Sequence, residues 1–82
     1  MRKHKLSNQE VAQILDDFLI GKGSDWAWDD FTSGMSFEDE QLEKIRLRCA
    51  GLGDEFPPDH RSEFCNEQGR RVIRDYIDQL RA

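Results

Sequence analysis

No apolar stretch in the 82 residues approaches the roughly 20 needed to cross a bilayer. The basic start, Met1-Arg2-Lys3-His4-Lys5, is not followed by the apolar segment of a secretory signal. A cytoplasmic address with no membrane contact is therefore expected. Cysteine is scarce: Cys49 and Cys65 stand alone, without a Cys-x-x-Cys pair, so a disulfide framework and a zinc finger are both disfavoured. Glycine is too thinly spread for a phosphate loop, since Gly21-Lys22-Gly23 lacks a third glycine and a flanking strand. Strand-like alternation, internal repeats and low-complexity tracts are missing too.

Basic residues are unevenly spread. Residues 1–9 hold three bases and no acid, residues 10–43 hold ten acids against Lys22 alone, and residues 44–82 are nearly balanced. The net charge of −5 thus belongs to one half of the chain. Such a field repels nucleic acid and attracts basic partners.

What is present is helical periodicity. Ser7-Asn8-Gln9-Glu10 forms a capping box, and Leu6 and Val11 are placed for a hydrophobic staple. Val11, Ile14, Leu15, Phe18 and Leu19 then make one apolar face, so a helix is predicted over 6–20, stopped by Gly21 and Gly23. A short second helix is predicted over 24–34, capped by Ser24 or Asp25 and ended by Gly34. Trp28, Phe31 and Met35 share a face, with Trp28 and Phe31 the core candidates, whereas Trp26 lies on another face with Asp29 and Asp30. A third helix is predicted over 36–50, capped by Ser36, buried through Leu42, Ile45 and Cys49, and closed by Gly51 and Gly53. Pro57-Pro58 forbids helix in the loop 54–65, where Phe56 and Phe64 are expected to pin the chain to the core. The last helix, 66–81, has Asn66 as cap and Val72, Ile73, Tyr76, Ile77 and Leu80 as its face. Gly69 within it marks a close approach. The fold class is all-α: a compact bundle of three amphipathic helices plus one short aromatic helix, sequential neighbours packing antiparallel. Residues 1–5 are expected as a flexible basic tail and 6–82 as one helical domain.

These residues bear on several chemistries. Asp25, Asp29 and Asp30 are oxygen ligands but lack the alternating spacing, glycine and glutamate of a calcium loop. A solvated acidic face is the simpler alternative. Cys49, His60 and Cys65 are three soft ligands without an anchoring pair or a fourth member. Cys65 and His60 form the one cysteine–histidine neighbourhood, but no nucleophile–base–orienter set is visible. No enzyme activity, metal or cofactor is therefore expected. An exposed tryptophan amid aspartates suits an anchor for a basic partner. The alternative places both tryptophans in the core and leaves the acids to solubility.

The run Gly21-x-Gly23-Ser24-x-Trp26-x-Trp28-Asp29-Asp30-Phe31, with Leu42-Glu43-x-Ile45-Arg46, Phe56-Pro57-Pro58 and Cys65, resembles a group of short acidic bacterial proteins with a W-D-W-D-D-F core. Here Ala27 stands where that motif has an aspartate. The motif implies no activity. In size, helicity and acidity the chain is also similar to the immunity proteins that neutralise bacterial nuclease toxins. The expectation is a protein-binding module, of immunity-inhibitor or adaptor type, that covers a basic partner. Its face would be Asp25, Trp26, Asp29, Asp30, Glu38, Asp39 and Glu40. A homo-oligomeric assembly protein with a self-interface of exposed aromatics is the alternative, and a metal-binding or enzymatic protein the third.

Overall fold

The computed structural model describes residues 5–22, 25–60 and 63–82, without the side chains of Asp25 and Trp26. It holds four helices: α1 (Asn8–Leu19), α2 (Asp25–Asp29, continuing as a π-helical turn over Asp30–Gly34), α3 (Glu40–Glu55) and α4 (Glu67–Arg81). No strand element occurs among the described residues. The radius of gyration is 12.0 Å, against roughly 11.7 Å expected for a compact chain of this length.

α1 forms as its sequence predicts. Ser7 Oγ accepts from the Glu10 amide at 3.1 Å, and Glu10 Oε1 accepts from the Ser7 amide at 3.2 Å. At the other end Gly21 adopts φ +72°. Its amide donates to Phe18 O, and the Lys22 amide donates to Asp17 O. Those two bonds make a Schellman motif, which requires a residue that tolerates the left-handed conformation. Gly23 and Ser24, the other expected stop and cap, lie outside the described residues.

α3 departs from expectation at both ends. Asp39, not Ser36, is the cap: its Oδ1 accepts from the Leu42 amide at 3.0 Å. The helix cannot start earlier because Phe37 is drawn into the core, where it is 2% exposed, and its amide donates to Glu43 Oε1. At the far end α3 runs through Gly51 and Gly53 to Glu55. Glycine weakens a helix by about 1 kcal/mol but does not by itself end one. On the outer side of α3, Arg48 pairs with Glu55.

α4 begins at the Asn66 cap, whose Oδ1 accepts from the Gln68 and Gly69 amides. Gly69 has the close neighbour its position suggested: a Cβ there would come within 2.8 Å of Cys65 Sγ. Along the exposed side Arg74 reaches Glu67, two turns before it, at 3.8 Å.

The core joins Val11 and Leu15 of α1, Trp28 and Phe31, Leu42, Ile45, Cys49 and Leu52 of α3, and Ile73, Ile77 and Leu80 of α4. The most extensive helix contact is α1 with α4, the two ends of the chain, rather than any sequential pair. Arg81 reinforces it by reaching Asp16 at 3.7 Å.

Candidate protein-binding cleft

The second helix is held from two sides. On one, the Trp28 indole stacks on Phe18 with ring centroids 3.9 Å apart, and Phe64 meets both rings edge-on. On the other, Arg46 is only 9% exposed. Its Nε and Nη2 donate to the Glu43 carboxylate at 2.7 and 2.9 Å, and its Nη1 donates to Thr32 O at 2.6 Å. Glu43 also accepts from the Phe37 amide, so one ion pair ties α3 to the π turn and to the strand-like entry before the cap. The hydrogen bond to Glu43, and then its charge, raise the Arg46 pKa against the opposing effect of burial. Thr32 turns its hydroxyl back on the chain and donates to Trp28 O at 3.1 Å. This framework fixes the backbone that carries Asp29 and Asp30.

The expected acidic residues divide into two groups. Asp29 is exposed; Asp30 is half-buried, with Oδ1 2.6 Å from where a Cβ on Gly34 would sit. Asp25 opens α2 beside Trp26, but the exposure of Trp26 lies outside the described side chains. Glu38, Asp39 and Glu40 are exposed at the start of α3. Glu38 and Asp39 line an open cleft of about 520 Å³ with Lys5, Leu6, Ser7, Glu10 and Leu42. Asp29, Asp30 and Glu40 do not line it.

The cleft is where the N-termini of α1 and α3 meet. Three carboxylates, Glu10, Glu38 and Asp39, face one ammonium. Glu10 and Asp39 each cap a helix, so their charge is partly balanced by backbone amides and the helix dipole. Glu38 caps nothing. It takes the Lys5 ammonium at 3.8 Å, with both side chains more than half exposed. Leu6, half-buried, adds apolar surface between the charges, with the buried Leu42 beneath. Sequence reading placed Lys5 in a solvated tail and Ser7 and Glu10 in a local cap. Nothing local signals that this cap faces the start of α3, 30 residues on.

Elsewhere, among the described residues, no three His, Cys, Asp or Glu side chains are grouped to hold a metal ion. Cys49 and Cys65 are free, buried thiols, while His60 is exposed on the loop. Burial first, and then the neighbouring Cys65, push the Cys49 thiol up to about 12. Burial raises Cys65 as well. Both shifts run opposite to those that activate a nucleophilic cysteine. Among the described residues no helix is long and apolar enough to cross a membrane. No protein-family model, curated protein or solved structure matches the chain.

Proposed function

We propose that the chain is a protein-binding module that covers a basic site on a partner, as an immunity-type inhibitor covers a toxin. Three amphipathic helices would form a rigid support, and the short aromatic helix would present Trp26 beside Asp25, Asp29 and Asp30. The cleft acids Glu38 and Asp39, with Glu40 at its edge, would extend the same negative field. Action is by charge-steered encounter and steric occlusion, with no bond made or broken.

The observation that carries this proposal is the Lys5–Glu38 pair at the cleft. The rim carboxylate already holds a lysine ammonium, in an exposed geometry that contributes little to stability and is readily exchanged. A lysine or arginine from a partner could replace it and lay its alkyl stem on Leu6.

The test is a titration of the ¹⁵N-labelled protein with a lysine- and arginine-rich peptide at low and then physiological salt. Amide shifts should concentrate at 5–10 and 38–42, extend to 29–30, and fade with salt. Glu38→Gln should weaken binding several-fold, and Trp26→Ala should weaken it without lowering the melting temperature. Absence of localised shifts at low salt, or equal shifts from an uncharged peptide of the same length, would remove the basis of the proposal.

A further inference from the structure

The helices α3 and α4 contain three glycines, and two of them have a visible reason. A Cβ at Gly53 would lie 2.9 Å from Phe64 O, and one at Gly69 would lie 2.8 Å from Cys65 Sγ. Gly51 has none: beyond its own stretch of helix, no atom of the described residues lies within 4 Å of the position its Cβ would take. It sits inside α3 at the usual helix cost of glycine, on the side away from the core. One turn earlier on the same side is Leu47, 56% exposed and one of two large apolar side chains left so open among the described residues. Lys44 and Asp54 flank the pair, at i−3 from Leu47 and i+3 from Gly51. Both are exposed, and neither has an ion-pair partner among the described residues, whereas Arg48 is paired with Glu55.

The geometry points to a second copy of this chain as the occupant of this face, packed antiparallel along α3 about a two-fold axis. If the axis crosses α3 midway between Leu47 and Gly51, each Leu47 sits over Gly51 of the second copy, filling the space the missing Cβ leaves. That same register places each Lys44 opposite Asp54 of the second copy. One alignment thus satisfies the unexplained glycine, the exposed leucine and two unpaired charges of opposite sign, each twice. A two-fold contact requires such self-complementarity of a single patch. This face is distinct from the acidic cleft, so a dimer leaves the cleft open.

A single pair of crossing helices buries less than the roughly 1,200 Å² of a stable specific interface. The dimer is accordingly a weak, concentration-dependent one. Sedimentation equilibrium from about 10 µM to about 1 mM should show the mass rising toward that of two chains. Leu47→Glu should leave a monomer throughout, with an unchanged helical spectrum and melt. Lys44→Glu or Asp54→Lys alone should weaken association about tenfold, because each places like charges opposite at both symmetric positions. Lys44→Glu and Asp54→Lys together should restore it to within about threefold. A monomer at 1 mM overturns the inference. So does a dimer indifferent to Leu47→Glu, and so does a double reversal no better than either single one.

Discussion

The two sides of the second helix do the same job by different physics. Toward α1 and the 56–66 loop, Trp28 is gripped by Phe18 and Phe64 through stacking and exclusion of water. Toward α3, the π turn is held by one buried guanidinium that reaches a carboxylate and a carbonyl. The aromatic side tolerates small shifts, since every ring contact is broad. The polar side does not, since three hydrogen bonds of fixed direction must form together or leave buried charge unpaired. Even the aromatic side has one polar fault: the Trp28 Nε1 donor is buried with no partner among the described residues.

The aromatic side should break hardest. Trp28→Ala is expected to cost about 3–5 kcal/mol, against a total stability of roughly 4–12 kcal/mol for a domain of this length. Urea melts should show a population unfolded or nearly so in water. Trp28→Phe should cost much less, because it keeps a stacked ring on Phe18 and removes the unpartnered donor. If Phe proves as damaging as Ala, indole packing rather than the ring stack is what matters.

The polar side ranks next. Arg46→Ala takes the guanidinium away from the half-buried Glu43 carboxylate and from Thr32 O, for an expected loss of about 2–3 kcal/mol. Adding Glu43→Leu to Arg46→Met should recover part of that, not all, because the Phe37 amide then loses its bond to the Glu43 carboxylate and Thr32 O its bond from the guanidinium. A double-mutant cycle with no coupling between the two positions would mean that the pair is solvated in solution.

The difference between the two sides is also the difference between what was legible in the sequence and what was not. Trp28, Phe31, Leu42, Ile45 and Ile73 announce themselves by spacing, because burial of apolar residues follows helical period. Ser7 and Asn66 announce themselves by residue type at a helix start. Arg46 carries no such mark. An arginine on a helix is ordinarily solvent-facing, and its partner Thr32 is 14 residues away in a turn whose π geometry no local pattern predicts. The same holds for the candidate face. Its acids were visible as a cluster in sequence, but the meeting of Glu10 and Lys5 with Glu38 depends on how two helix starts approach each other. The end of α3 is hidden for a related reason: a glycine in sequence signals a helix stop, whereas two of the three glycines within α3 and α4 serve close approach.

Those glycines supply a finer comparison. Gly53 abuts the loop that carries Phe64 and so belongs to the aromatic side; Gly51, half a turn away, abuts nothing. Gly53→Ala should destabilise by about 1–2 kcal/mol, since backbone at 2.9 Å must move. Gly51→Ala should stabilise the dilute monomer by up to about 1 kcal/mol through helix propensity alone. Thermal melts in parallel would read both signs. Two substitutions of equal sign would mean that the 56–66 loop yields more freely than its contacts suggest.

The smallest effect is expected from Cys49, which lies in α3 one turn after Arg46 and is fully buried in the core. Its thiol is pushed from an ordinary value of 9.0 up to about 12 by burial and by Cys65. Folding therefore favours the protonated form. The associated stability is fully present below pH 9.0, where both states keep the proton. Above that, the unfolded chain releases its proton while the folded one retains it, so stability falls as pH rises toward about 12. The loss should be on the order of 1 kcal/mol by about pH 10. Tyrosine and lysine titrate in the same range, so the quantity to measure is the difference between the wild-type chain and Cys49→Ala. Cys49→Ala should be less stable at pH 7 for the cavity it leaves, and the gap between the two should narrow between pH 8 and about pH 10. A gap that stays constant with pH would mean that Cys49 is hydrated, and that the interior behind α3 is wetter than the aromatic side it adjoins.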